Sequence, residues 1–285
     1  MTVPLRGVSG RPTGVDWAAV ARAALGPVLV VAVLTAVQLA VHRFVPPAVG
    51  ATLALLAVLA TYYAHARLIE RRAPLELAPA ALPQVLWGAL LGGALLGATL
   101  LGLALAGVYH VQGRSAFSID LPAAMTVGLL GATIEELLFR GYVFRWIAAA
   151  NPWRAILVSA ALFGGLHGFN HGATVFSSLA IALEAGILLS AAYLASGNLW
   201  FPIGIHFGWN FAEGPIFNVP ISGNPTPGLV LGSLHGPAWL TGGDFGVEAS
   251  AVAIAVCMCA GAAMLARAIG HGRLAWPPFG SRSVR

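Results

Sequence analysis

The chain has 285 residues, of which 58 % are apolar and only 9 % charged, whereas a water-soluble domain carries about 25 % charged residues. That excludes an ordinary soluble protein and points to several membrane spans. The net charge of +5 would suggest a nucleic-acid partner in a soluble protein, but here the basic residues lie between apolar runs, so topology accounts for them and no nucleic acid is expected.

Residues 1–22 are polar, carry Arg6, Arg11 and Arg22, and read as a cytoplasmic tail. The apolar run 23–41 is longer than the ~7–15-residue core of a secretory signal, so it reads as the first span of a transmembrane domain over 23–270. A second span over 47–64 is followed by a charged loop with Arg67, Glu70, Arg71, Arg72 and Glu76. The third, over 83–108, carries Gly88-x-x-x-Gly92 and Gly93-x-x-x-Gly97, spacings that let helices approach closely. The fourth run, 121–150, would make a helix of about 45 Å. That exceeds the ~30 Å hydrocarbon core, so the helix must tilt, break or emerge near Arg140 to Arg145. Asn151-Pro152 ends it, because proline disfavours helix in the residue before it.

Spans five to eight fall at 153–167, 173–194, 199–217 and 247–269. A Gly/Pro-rich loop over 218–246 precedes the last span, and 271–285 form a second cytoplasmic tail. Cys257 and Cys259 stand two apart on different helix faces and read as small core residues. The predicted fold is all-α, a polytopic transmembrane helical bundle of about eight spans.

Eight spans put both termini on one side. Thirteen of the fifteen arginines fall on that side and two, Arg43 and Arg114, on the other, a strong positive-inside signal. Every basic residue is arginine, and with the Ala- and Gly-rich composition this suggests a GC-rich bacterial gene. The expected location is a bacterial cytoplasmic membrane, with both termini cytoplasmic.

The fourth run holds the polar feature that organises the rest: Glu135-Glu136-Leu-Leu-Phe-Arg140. On a helix Glu136 and Arg140 share a face at i and i+4 and can pair, while Glu135 is rotated by about 100°. An intramembrane ionisable group costs at least ~2.5–3.5 kcal/mol and survives where it has a partner and a task. One cation for two carboxylates gives a structural pair and one free carboxylate, Glu135. Three other polar clusters interrupt apolar runs. They are Phe163-Gly-Gly-Leu-His167 with Asn170 and His171, His206-Phe-Gly-Trp-Asn210, and Glu184 by itself.

A single histidine on an apolar helix is most often satisfied by a backbone carbonyl, and Glu184 either pairs with a neighbouring helix or holds a proton. His171 reads as a loop or helix-end residue and Glu213 as the end of span seven. Gly204 and Gly208 clear a helix face for close packing or for a substrate backbone. From the helical rise, Glu135 lies about 21 Å from the outer face, His206 about 10 Å and His167 about 20 Å from the cytoplasmic side. These depths permit a shared cavity in the cytoplasmic half. The H-E-x-x-H pattern of metalloproteases is absent.

Taken together, E-E-x-x-x-R at Glu135 to Arg140, F-x-x-x-H at Phe163 to His167 and H-x-x-x-N at His206 to Asn210 resemble the CPBP intramembrane proteases. That family includes the type II CAAX prenyl endopeptidases and the bacterial Abi-type proteins. The resemblance covers about 121–215, including the flank Gly197-Asn-Leu-Trp-Phe-Pro-Ile-Gly, and leaves the first three spans, the 218–246 loop and the last span without diagnostic residues. It implies an intramembrane endopeptidase in which Glu135 activates a water, His167 assists, His206 and Asn210 stabilise the oxyanion, and Glu136 and Arg140 fix the geometry. Its implied partners are a peptide or protein substrate and membrane lipid.

On cofactors the expectation is a metal-free glutamate mechanism, with zinc held by Glu135, His167 and His206 as the alternative. Prenylated substrates are not expected if the gene is bacterial. The rival reading is a non-proteolytic transporter or scaffold whose intramembrane charges line a pathway. Against it stand the lack of internal repeats and of paired broken helices.

Overall fold

The computed structural model describes residues 17–41, 43–115 and 119–275. Most of the first tail, the end of the second, and the arginines counted there (Arg6, Arg11, Arg282 and Arg285) lie outside the described residues.

The helices are α1 (Trp17–Val41), α2 (Pro47–Ala64), α3 (Gln84–Leu105), α4 (Leu121–Glu136), α5 (Arg145–Ala148), α6 (Pro152–His167), α7 (Val175–Ile181), α8 (Leu188–Ser196), α9 (Trp200–Phe211), α10 (Ala238–Thr241) and α11 (Ala251–Gly270). Among the described residues, six helices are long and apolar enough to cross a membrane: 24–41, 47–69, 79–105, 121–148, 175–196 and 251–270. The protein is therefore an integral membrane protein. The other two expected spans are shorter, since α6 has 16 residues and α9 has 12.

Two departures from an all-helical bundle follow from the loops. Strand β1 (Tyr109–Arg114) pairs antiparallel with β2 (Val230–Leu234), which joins the loop after α3 to the Gly/Pro-rich loop after α9. The charged loop of residues 70–76 forms a partly buried network. Glu70 pairs with Arg72 at 2.6 Å and with Arg145, Arg72 pairs with Glu76 at 2.7 Å, and the Tyr62 hydroxyl donates to Glu76 at 2.6 Å. Burial alone would raise the Glu70 carboxyl, but the Arg145 and Arg72 guanidiniums outweigh it and hold the group below its ordinary range.

Helix ends follow from local chemistry. Asp120 caps α4 by accepting from the Ala123 amide at 3.0 Å, with Pro122 in the first turn. Asn151, expected only to end the preceding helix, also caps α6 through the Arg154 amide at 3.0 Å. The expected single helix over 121–150 is continuous but not uniform. Its α-helical turns widen into a π-helix over Leu137–Phe144 before α5. Further π-helical turns occupy Ala182–Ile187 and Ala212–Ile216. Such widened turns gather at functional sites.

The packing that places the third motif is between α3 and α9. Gly88 lies against the backbone of Phe201, Gly204 and Ile205, and Gly92 against Ile205 and Trp209. The two helices therefore run parallel. From the other side, Gly204 meets Val85 and Gly88, and Gly208 meets Ala89. A Cβ on any of these four glycines would run into a backbone carbonyl, so the helices can touch main chain to main chain only with glycine there. Gly97, by contrast, faces open space, so Gly88-x-x-x-Gly92 is the packing motif and Gly93-x-x-x-Gly97 is not. Buried Leu96, Leu100, Leu188, Leu189, Ile205 and Trp209 continue this contact into the main core. Cys257 belongs to that core, whereas Cys259 is exposed, a correction to the expectation that both are core residues.

The hairpin makes topology testable, because pairing β1 with β2 puts the loops around Gly113 and Gly228 at one end of the bundle. Reporter fusions at both positions are expected to give the same, non-cytoplasmic signal. A cytoplasmic signal at either would overturn the expected orientation.

Candidate active site

The ion pair read from the sequence is present and wholly buried. Arg140 Nη1 donates to Glu136 Oε1 at 2.9 Å, and both side chains are 0 % exposed. The π-helical turn at 182–187 explains how so large a cation fits there. Widening a helix takes a carbonyl out of its ordinary ladder, and Arg140 Nη2 donates to the carbonyls of Ala185 and Gly186 at 3.2 and 3.0 Å. The guanidinium carbon also lies 4.8 Å from the centre of the Phe163 ring.

The same carboxylate reaches the third motif, since His206 Nδ1 lies 3.1 Å from Glu136 Oε1. With an ionised Glu136 accepting, Nδ1 carries a proton and Nε2 faces the other way. His167 is oriented by a different partner. Its Nδ1 is 2.8 Å from the Phe163 carbonyl one turn earlier, so Nδ1–H donates and Nε2 is again the free atom. Both free atoms face Glu135: Oε2 lies 3.8 Å from His167 Nε2 and 3.9 Å from His206 Nε2.

Those separations are too long for direct hydrogen bonds and suit one bridging water. Glu135 Oε2 is itself buried with no hydrogen-bond partner among the described residues, although the side chain as a whole is 33 % exposed. Glu135 is thus the accessible and unengaged carboxylate, and Glu136 the enclosed one. Asn210 shares with His167 and His206 the wall of a small cavity, and its side chain makes no hydrogen bond among the described residues.

The remaining candidates divide. His171 is exposed in the turn after α6 and does not join the site. Its neighbour Asn170 donates to the Ser222 carbonyl at 3.0 Å, tying that turn to the long loop. Glu184 is buried in the cavity wall, at 3 % exposure, and pairs with no arginine among the described residues. Glu213 does end the seventh apolar run but is fully buried, accepting from Trp209 Nε1 at 3.1 Å. Sequence reasoning missed Glu248 and Ser222, which also line the cavity. The one signal was an acidic residue at the head of the last apolar run.

A zinc site needs donors of the kind that Glu135, His167 and His206 supply, each imidazole steadied through its other nitrogen. Ligands bound at ~2.0–2.2 Å around one tetrahedral ion stand about 3.3–3.6 Å apart, closer than the 3.8 and 3.9 Å found here. Among the described residues, no group of three or more His, Cys, Asp or Glu is placed to hold a metal ion. The donors match in kind and not in spacing, and no step below runs through a metal.

With this geometry the chain can be set beside known proteins. Residues 117–212 match the type II CAAX prenyl endopeptidase Rce1-like family. The matched segment contains Glu135, Glu136, Arg140, His167, His206 and Asn210, so the resemblance drawn from the three motifs is borne out. The Rce1-like match makes the coarse activity that of a protease acting on peptide or protein substrates. It leaves α1 to α3 and everything after the start of the last π-helical turn unmatched. No curated protein and no solved structure matches the chain.

Proposed function

We propose that the protein is an intramembrane endopeptidase that hydrolyses a peptide bond with a glutamate-activated water. The observation that carries this reading is the meeting of one free carboxylate oxygen and two free imidazole nitrogens, from α4, α6 and α9, at 3.8 and 3.9 Å.

A water between them donates one proton toward Glu135 and is oriented by the lone pair on His167 Nε2. Glu135 takes that proton as the oxygen attacks the carbonyl carbon, the general-base role. Charge then develops on the carbonyl oxygen. His206 stabilises it from Nε2 when the ring carries both protons, since Nδ1 is already donating to Glu136. Glu136 lies between that imidazolium and Arg140 and balances the added charge. The Asn210 amide is the second donor. Such donors are worth most in a site with little water, where no solvent dipole competes.

The test is purified protein in detergent against a peptide library. Discrete cleavage is expected, with Asn210→Ala slowed by about 10²–10³ but not silent. No cleavage by the wild type, of any peptide, would sink the reading. Metal analysis with a chelator titration examines the metal-free part separately. Stoichiometric zinc, with activity lost on chelation and restored by zinc alone, would overturn it and leave Glu135, His167 and His206 as ligands.

A further inference from the structure

The three motifs lie within residues 117–212, yet part of what holds their helices in place lies before that segment. Glu76, in the loop between α2 and α3, is buried at the centre of those contacts. Its side chain and its main chain serve different helices.

The side chain reaches the first motif by two routes. Along one, the Tyr62 hydroxyl donates to Glu76 Oε1 at 2.6 Å and stands 3.1 Å from the Gly141 carbonyl. The Tyr62 ring lies directly on Gly141, where a Cβ would come within 2.8 Å of it, so this approach requires glycine. Along the other, the same Glu76 oxygen pairs with Arg72 at 2.7 Å, Arg72 pairs with Glu70 at 2.6 Å, and Glu70 pairs with Arg145. Arg145 Nε then donates to the Gly141 carbonyl at 2.9 Å. Both routes end in the widened turn that follows Glu135 and Glu136.

The main chain of Glu76 reaches the third motif. Amides at the start of a helix have no acceptor within it, and the Leu199 amide, at the head of α9, donates to the Glu76 carbonyl at 2.8 Å. Trp200 Nε1 donates to the Ala78 carbonyl at 3.1 Å, and Asn198 Nδ2 donates to Gln84 Oε1 at 3.0 Å, so the same stretch holds this helix end at three points. Leu199 lies about 10 Å along α9 from His206. Nearer the site, His206 meets Glu136 at 3.1 Å. One contact between two helices leaves them free to pivot, and a second, more than a turn away, fixes their angle.

We infer that Glu76 is a positioning residue for the proposed hydrolysis: by bridging Gly141 and Leu199 it sets how Glu135 stands against His206. The inference rests on the endopeptidase reading and gives a loop outside the matched segment a part in the reaction. Glu76 touches neither the peptide nor the attacking water. Its removal lets α4 and α9 shift against each other, and a displacement of about 1 Å at the reacting groups costs up to about 10²-fold in rate.

Glu76→Ala cuts both side-chain routes, whereas Glu76→Gln keeps an acceptor for Tyr62. Assayed well below its melting temperature in detergent and corrected for the folded fraction, Glu76→Ala is expected to lower kcat by about 10–10² with KM little changed. Glu76→Gln is expected to recover part of that loss. Hydrogen exchange read by mass spectrometry gives a measure apart from activity. Residues 198–203 should exchange faster in Glu76→Ala, while residues 121–130 should exchange as in the wild type. Unchanged exchange at 198–203, or a loss of turnover wholly explained by unfolded protein, overturns the inference. Should Glu76→Ala fail to fold, Tyr62→Phe takes its place, since it removes one route and leaves the ion pairs. A smaller loss in kcat is then expected, and wild-type kcat in that variant overturns the inference. A wild type that cleaves beside a folded Glu76→Ala with undiminished kcat discards Glu76 alone and leaves the endopeptidase reading standing. A wild type that cleaves no peptide discards both.

Discussion

Glu135→Gln is expected to fold as the wild type does and to lose about 10²–10⁴ or more in kcat. The fold should be indifferent because Glu135 holds nothing in place. Its side chain is a third exposed, its Oε2 has no hydrogen-bond partner among the described residues, and the imidazole nitrogens facing it are 3.8 and 3.9 Å away. The amide keeps the size of the carboxylate and removes its basicity, so an aligned water stays unactivated. A defect of that kind sits in the transition state, and raising the substrate concentration should not repair it. Turnover at saturating peptide, read beside thermal melting in detergent, is the measurement. A glutamine variant that melts normally and turns over at the wild-type rate would remove Glu135 from the mechanism.

Arg140→Ala should behave in the opposite way and fail as a protein before it fails as an enzyme. Removing one partner of a buried ion pair costs about 3–5 kcal/mol, because the other charge is left without compensation. Here the stranded group is Glu136, at 0 % exposure, and the carbonyls of Ala185 and Gly186 each lose a donor as well. Against a total stability of about 5–15 kcal/mol, the folded yield should fall sharply. Arg140→Lys should recover only part of it, since an ammonium cannot span a carboxylate and two carbonyls as a planar guanidinium does. An Arg140→Ala variant with the melting temperature of the wild type would show the pair to be dispensable.

The neighbours Glu135 and Glu136 have such different fates because of helical geometry, and that much was legible in the sequence. The i, i+4 spacing pairs Glu136 with Arg140, and the offset of one residue frees Glu135. His167 and His206 were legible as polar groups set at fixed spacing in apolar runs, and the three motifs in order led to the family that residues 117–212 match. What could not be read was which nitrogen of each histidine is free. That depends on the Phe163 carbonyl in one case and on Glu136, seventy positions away in sequence, in the other. The two glycine motifs of α3 looked alike for a similar reason. Spacing shows that a face is smooth, and only the position of α9 shows which smooth face is used.

The sequence alone determined that this is a membrane protein, since too few charges and too many apolar residues leave no other solvent for it. It also determined the residues of the ion pair and of the three motifs, because local periodicity is a property of the chain. The tertiary structure decided the rest. The widened turns at 137–144, 182–187 and 212–216 interrupt the regular ladder, and at 182–187 the carbonyls meet a buried guanidinium from another helix, a contact that no residue type announces. The β1–β2 pairing joins loops more than a hundred residues apart. Glu184 and Glu248 look like isolated acidic residues in the chain and come to line one cavity only when α7 to α11 close around it. Burial and proximity arise from long-range packing, and in a membrane those two quantities decide whether a carboxyl is a free base or an ion-pair partner.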